Sequence, residues 1–179
     1  MERRVAKINI SSAGGTASSG SKTCKVTLPT SWVEAMGIDG DRRELELTFD
    51  GTTVTLSRRL DGPEFAARQL AQGHQIRVLR FYDGDILCST IYADFTGQAV
   101  AVENQPVPPV KTAFGNNLLP SWEDFQRFLE ERCIPRQRAG LREYLEALGL
   151  DEYDPLAIIE KTGGRMAEDR QWLTMEVLK

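Results

Sequence analysis

The chain reads as an α+β protein: two β-rich regions, the second followed by helices. Three observations lead there. Apolar and polar residues alternate through much of the first sixty residues, alternate again from Gln75 to Glu103, and change to a helical period after the stiff connector Gln105-Pro-Val-Pro-Pro. The 179 residues suffice for one domain or two small ones, with a core that needs no disulfides. A break at Leu60-Asp-Gly-Pro63 separates an N-terminal part, residues 1–60, from residues 64–179.

Within the first part, Val5 to Ile10 alternates and predicts a strand, and a Gly/Ser/Thr-rich loop runs from Ser11 to Thr23. A second strand, Lys25 to Leu28, stops at Pro29, which cannot donate to a ladder but suits a strand end or a helix start. A short helix, Ser31 to Met36, is closed by Gly37. Alternating runs at Glu44 to Phe49 and Thr53 to Ser57, joined by Asp50-Gly51, predict a hairpin.

In the second part, Glu64 to Gly73 predicts a helix. Ile76 to Tyr82 and Ile86 to Tyr92 flank Asp83-Gly84-Asp85 as a hairpin, and Gln98 to Glu103 supplies a third strand. Ser121 is placed to cap a helix from Trp122 to Cys133, with Glu123 and Asp124 in the first turn where the helix dipole favours acids. Pro135 ends that helix. Two more follow: Gln137 to Leu148, stopped by Gly149, and Leu156 to Thr162, opened by Pro155 and stopped by Gly163-Gly164. The chain is expected to finish as a helical tail packed on the sheet.

Composition narrows the function classes. Cys24, Cys88 and Cys133 are odd in number and far apart, which suggests neither a disulfide framework nor a C-x-x-C metal knuckle and fits reduced thiols. No run approaches the roughly 20 apolar residues of a membrane span, and no signal peptide is visible, so a cytoplasmic location is expected. The net charge of −4 is unevenly spread: five basic residues and one acid up to Lys25 give +4, leaving −8 for the remainder. A basic arm on an acidic body predicts one region that meets phosphate and another that does not.

The catalytic motifs fail one by one. Gly15 to Thr23 is one residue from G-x-x-x-x-G-K-[ST], but Ser21 separates glycine from lysine, and a strand and Pro29 follow where a helix must begin. His74 is the only histidine, so no His-based metal cluster or triad is supported, and it reads as a polar turn residue. Trp32, Trp122 and Trp172 read as packing anchors. No catalytic residue, metal or cofactor is assigned, and the chain is not expected to be an enzyme.

A basic first strand, then Val26-Thr-Leu-Pro29, Trp32, Met36-Gly-Ile38, an acidic turn and a hairpin ending in Arg58-Arg59 resembles the AbrB/MazE/SpoVT family of swapped-hairpin DNA-binding domains. The resemblance covers about a third of the chain. It implies a homodimer whose interleaved hairpins form a shared core from Val26, Leu28, Pro29, Trp32 and Ile38. It implies contacts to double-stranded DNA through Lys7 on the first strand and Lys25 before the V-x-[LI]-P run, to which Arg3, Arg4 and Lys22 are added on charge alone. Helix positions that are basic in some members are Val33 and Glu34 here, and the Ser11 to Thr23 loop is longer than in the smallest members. The stretches Leu119-Pro-Ser-Trp-Glu-Asp, Arg132-Cys-Ile-Pro-Arg-Gln-Arg, Tyr153-Asp-Pro-Leu-Ala-Ile-Ile and Gly164-Arg-Met-Ala-Glu-Asp-Arg-Gln-Trp resemble a helical module of Firmicutes mobile-element proteins, found also in short proteins associated with HipA-type toxin kinases.

Two functions are thereby expected to compete. One is a dimeric DNA-binding transcriptional regulator, antitoxin-like or autoregulatory, with residues 64–179 binding a partner. The other is a mobile-element anti-defence protein, an anti-CRISPR that inhibits Cas9, whose acidic C-terminal body occupies a nucleic-acid channel of a protein or ribonucleoprotein. Arg132, Arg136 and Arg138 around Pro135 are candidates either to hold an acidic partner or to complement helix ends.

Overall fold

A computed structural model describes residues 2–12 and 21–179. It is a mixed α+β structure with small antiparallel sheets, in two compact units, Met1–Arg59 and Leu60–Lys179. The loop expected over Ser11 to Thr23, and the P-loop-like run within it, lie largely outside the described residues.

Among its described residues the first unit holds two hairpins and one helix. Strands β1 (Asn9–Ser12) and β2 (Lys22–Lys25) pair with Asn9 opposite Lys25 and Ser12 opposite Lys22. Both strands are displaced from the expected positions. The ladder draws Ser11, Ser12, Lys22 and Thr23 out of the predicted loop, while Val26 to Leu28 lie outside it, before Pro29. Pro29 is the N-cap of α1 (Thr30–Ala35), and its carbonyl accepts from the N–H groups of Trp32 and Val33. At the other end Gly37 takes a φ of 68°, and Ile38 N–H reaches back to the Val33 carbonyl, closing the helix as a left-handed cap does.

Strands β3 (Leu45–Phe49) and β4 (Val54–Arg58) form the hairpin read from Asp50-Gly51. The Asp50 carboxylate accepts from the N–H groups of Thr52 and Thr53 and from the Thr52 hydroxyl, which fixes the turn and holds its pKa below the ordinary value. Register places Leu47 opposite Leu56 and Phe49 opposite Val54 on one face, with Glu46 opposite Ser57 and Thr48 opposite Thr55 on the other.

The second unit is built on a four-stranded antiparallel sheet of order β7-β6-β5-β8. Its strands are β5 (Ile76–Asp83), β6 (Ile86–Asp94), β7 (Ala99–Asn104) and β8 (Gln171–Val177). The helices are α2 (Gly62–Leu70), α3 (Trp122–Glu131), α4 (Leu141–Leu148) and α5 (Pro155–Thr162). The core lies on one sheet face, where Leu79, Phe81, Ile91 and Leu173 meet Phe125 and Phe128 of α3 and Ile158 and Ile159 of α5. Phe81 and Phe128 meet edge to face at 5.4 Å. On the opposite face lies α2, its N-terminus so close over Tyr92 that a Cβ on Gly62 would collide with that ring.

Ser121 caps α3 as expected, in a capping box with Asp124. His74 is a turn residue: its Nδ1 lies 2.7 Å from Asp94 Oδ2, while Asp94 Oδ1 accepts from the N–H groups of Thr96 and Gly97. The expected helical tail is corrected at its end. Residues 171–177 form β8, hydrogen-bonded to the central strand β5, because Leu173 faces the core and both ladder edges of β5 need partners.

Candidate nucleic-acid interface

The five cationic residues singled out in the sequence all lie exposed in the first unit, but the hairpin divides them. Lys25 stands opposite Asn9 and shares a face with the Ser11–Thr23 pair, while the other face carries Ile10, Cys24, Ser12 and Lys22. Lys22 and Lys25 therefore project from opposite sides. Lys7 lies two residues before Asn9, in the segment that leads into β1. Among the described residues no acid pairs with Lys7, Lys22 or Lys25.

The N-terminal segment folds back on α1. Trp32 Nε1 donates to Glu2 Oε2 at 2.6 Å, and the Arg4 guanidinium lies over the Trp32 ring, 5.7 Å from its centroid. Sequence reasoning missed this clasp, since charge alone grouped Arg4 with the lysines and apolar character alone assigned Trp32 to a core. Arg3 stays exposed beside it.

The residues expected in a dimer core are not buried within the chain. Leu28, Pro29, Trp32 and Ile38 are half-buried and Val26 is exposed. Among its described residues the first unit has none that is buried, and the hairpin face of β3 and β4 leaves Leu47 63% and Phe49 69% exposed. A two-stranded hairpin by itself is marginal in water, and here its apolar face is exposed.

The turn Asp39 to Arg42 is fixed by the Asp39 carboxylate, which accepts from the N–H groups of Arg42 and Asp41 and is held below the ordinary aspartate value by them. Arg59 pairs with Glu44 at 2.5 Å across the base of the second hairpin.

In the second unit two of the three arginines around Pro135 are occupied, while Arg138 is exposed. Arg132 is buried, donating to the Gly164 carbonyl, the Gln171 carbonyl and the Asp169 carboxylate, so it holds the fold together and is not available to a partner. Arg136 pairs with Glu130 and lies 4.2 Å over the Tyr153 ring. Among the described residues no group of three or more His, Cys, Asp or Glu side chains is gathered for a metal, and no helix is long and apolar enough to cross a membrane.

Comparison of the chain with protein-family models, with curated proteins and with solved structures finds no match.

Proposed function

We propose that the chain is a homodimeric, double-stranded-DNA-binding transcriptional regulator of the AbrB/MazE/SpoVT-like kind, antitoxin-like or autoregulatory, in which residues 64–179 bind a partner. The observation that carries this reading is the separation of surfaces in the first unit. One hairpin presents exposed, unpaired lysines, and the other presents an apolar stripe that a second copy would cover. Lysines without acid partners are suited to phosphate contacts, whose affinity falls steeply with salt. Such contacts position a protein on a duplex, and specificity would then come from a few base contacts and DNA shape.

The test is fluorescence anisotropy of the full chain and of Lys7→Ala/Lys25→Ala against the protein's own promoter duplex and a scrambled one, at two salt concentrations. Tight promoter binding that weakens with salt is expected, with the salt slope reduced by about one for each phosphate contact removed. Equal binding by wild type and double variant, or none by either, overturns the proposal.

A further inference from the structure

On the sheet face opposite the core, α2 covers β6, β7 and part of β5 and leaves the β8 side open. Between helix and sheet runs a groove of about 320 Å³. Its walls are apolar: Ala66, Ala67 and Leu70 from the helix, Val78 from the sheet floor and Leu178 just beyond β8. That volume sits at the lower end of the range of roughly 300–1,000 Å³ found for small-molecule sites, which are mostly apolar with a few converging polar groups.

Arg80, Glu176 and Tyr92 supply those groups. The Glu176 carboxylate is already taken by Arg80 at 2.7 Å, and nearby Glu103 accepts from the Gly62 N–H. Among the described residues the Tyr92 hydroxyl has no hydrogen-bond partner, and burial raises its pKa and keeps it a donor. What the groove still offers is therefore donors, the remaining N–H groups of Arg80 and the Tyr92 O–H. Around Tyr92 the acids Glu103, Asp61 and Glu176 outnumber the cation Arg80, which is itself paired with Glu176, and this balance disfavours an anion.

We propose that this groove is a binding site for a small uncharged amphipathic molecule, its apolar body against Ala67, Leu70, Val78 and Leu178 and a carbonyl-type acceptor at Arg80 and Tyr92. The site lies wholly within the second unit and stands whether or not the first unit binds DNA.

The test is a ¹H–¹⁵N NMR titration of the full chain with N-propylbenzamide, a neutral acceptor probe, and in parallel with the anion 4-phenylbutyrate. Saturable shifts are expected at the amides of Ala66, Ala67, Val78 and Tyr92 with the benzamide, and weaker ones with the anion. Ala67→Trp, at an exposed position that tolerates bulk, should fill the groove and weaken binding by about tenfold or more. Leu178→Trp does the same from the opposite wall, and Tyr92→Phe weakens the benzamide more than the anion. Absence of saturable shifts in the wild-type chain, undiminished binding by both tryptophan variants, or tighter binding of 4-phenylbutyrate overturns the proposal.

Discussion

Arg132 and Asp169, 37 residues apart in sequence, meet at 2.6 Å and lock the end of α3 to the segment that leads into β8. The guanidinium does more than pair. It also donates to the Gly164 carbonyl through Nε and Nη2, and to the carbonyl and side chain of Gln171. Removing it strips two backbone carbonyls of a donor and leaves a carboxylate without its cation. Arg132→Ala is expected to destabilise the second unit by about 3 kcal/mol, whereas Asp169→Asn, which spares the carbonyl bonds, costs about 1 kcal/mol. Urea denaturation followed by tryptophan fluorescence checks the order of the two.

Acid should destabilise the second unit through carboxylates held below their ordinary values, Asp94 and Asp169 among them. Arg132 holds Asp169 below the ordinary aspartate value. For Asp94, burial acts to raise the pKa, but hydrogen bonds from Gly97, His74 and Thr96 outweigh it and leave the value lowered. A folded-state value below the unfolded one means that the stabilisation is fully present above the unfolded value of about 3.9 and is lost as pH falls through the folded one. Stability measured between neutral and strongly acidic pH is therefore expected to drop below about pH 4, and Asp94→Asn should flatten that dependence while lowering stability at neutral pH.

Self-association is expected to depend on the apolar stripe of β3 and β4. Leu47→Glu places a charge among Phe49, Val54 and Leu56 without disturbing a buried residue of the protomer. Sedimentation velocity should show wild-type dimer and variant monomer, and a wild-type chain that stays monomeric at roughly 100 μM would remove the basis for a covered hairpin.

The three thiols should separate by reactivity. Cys24 is exposed, Cys88 and Cys133 are buried, and burial pushes the Cys133 thiol up to about 12. With Ellman's reagent at pH 8 the native chain is expected to release one fast equivalent, assigned by Cys24→Ser, and the remaining two only in denaturant.

Much of the local structure was legible because it is locally written. Asp50-Gly51 between alternating runs fixed a hairpin, and Ser121 and Pro155 marked helix starts that the structure keeps. The first hairpin slipped by several residues, since alternation marks a strand without choosing its partner or register. β8 was missed although Trp172, Thr174 and Glu176 alternate with Leu173, Met175 and Val177. Its neighbours lie far back in the chain: Trp172 donates to the carbonyl of Gly84, 88 residues earlier. At the candidate interface, the family resemblance picked out Lys7 and Lys25 and charge added Lys22, but only register separates Lys22 from Lys25, and nothing local announces the Glu2–Trp32–Arg4 clasp.

The pairing of β5 with β8 also sets an order of events at the ribosome. Strand β5 occupies an interior position in the sheet, yet one of its two ladders stays unmade until residues 171–177 have been translated. Throughout synthesis of the intervening helices, an interior strand with an open edge waits for a late partner, and a message cut short before the codon for Gln171 yields a sheet without its β8 edge strand.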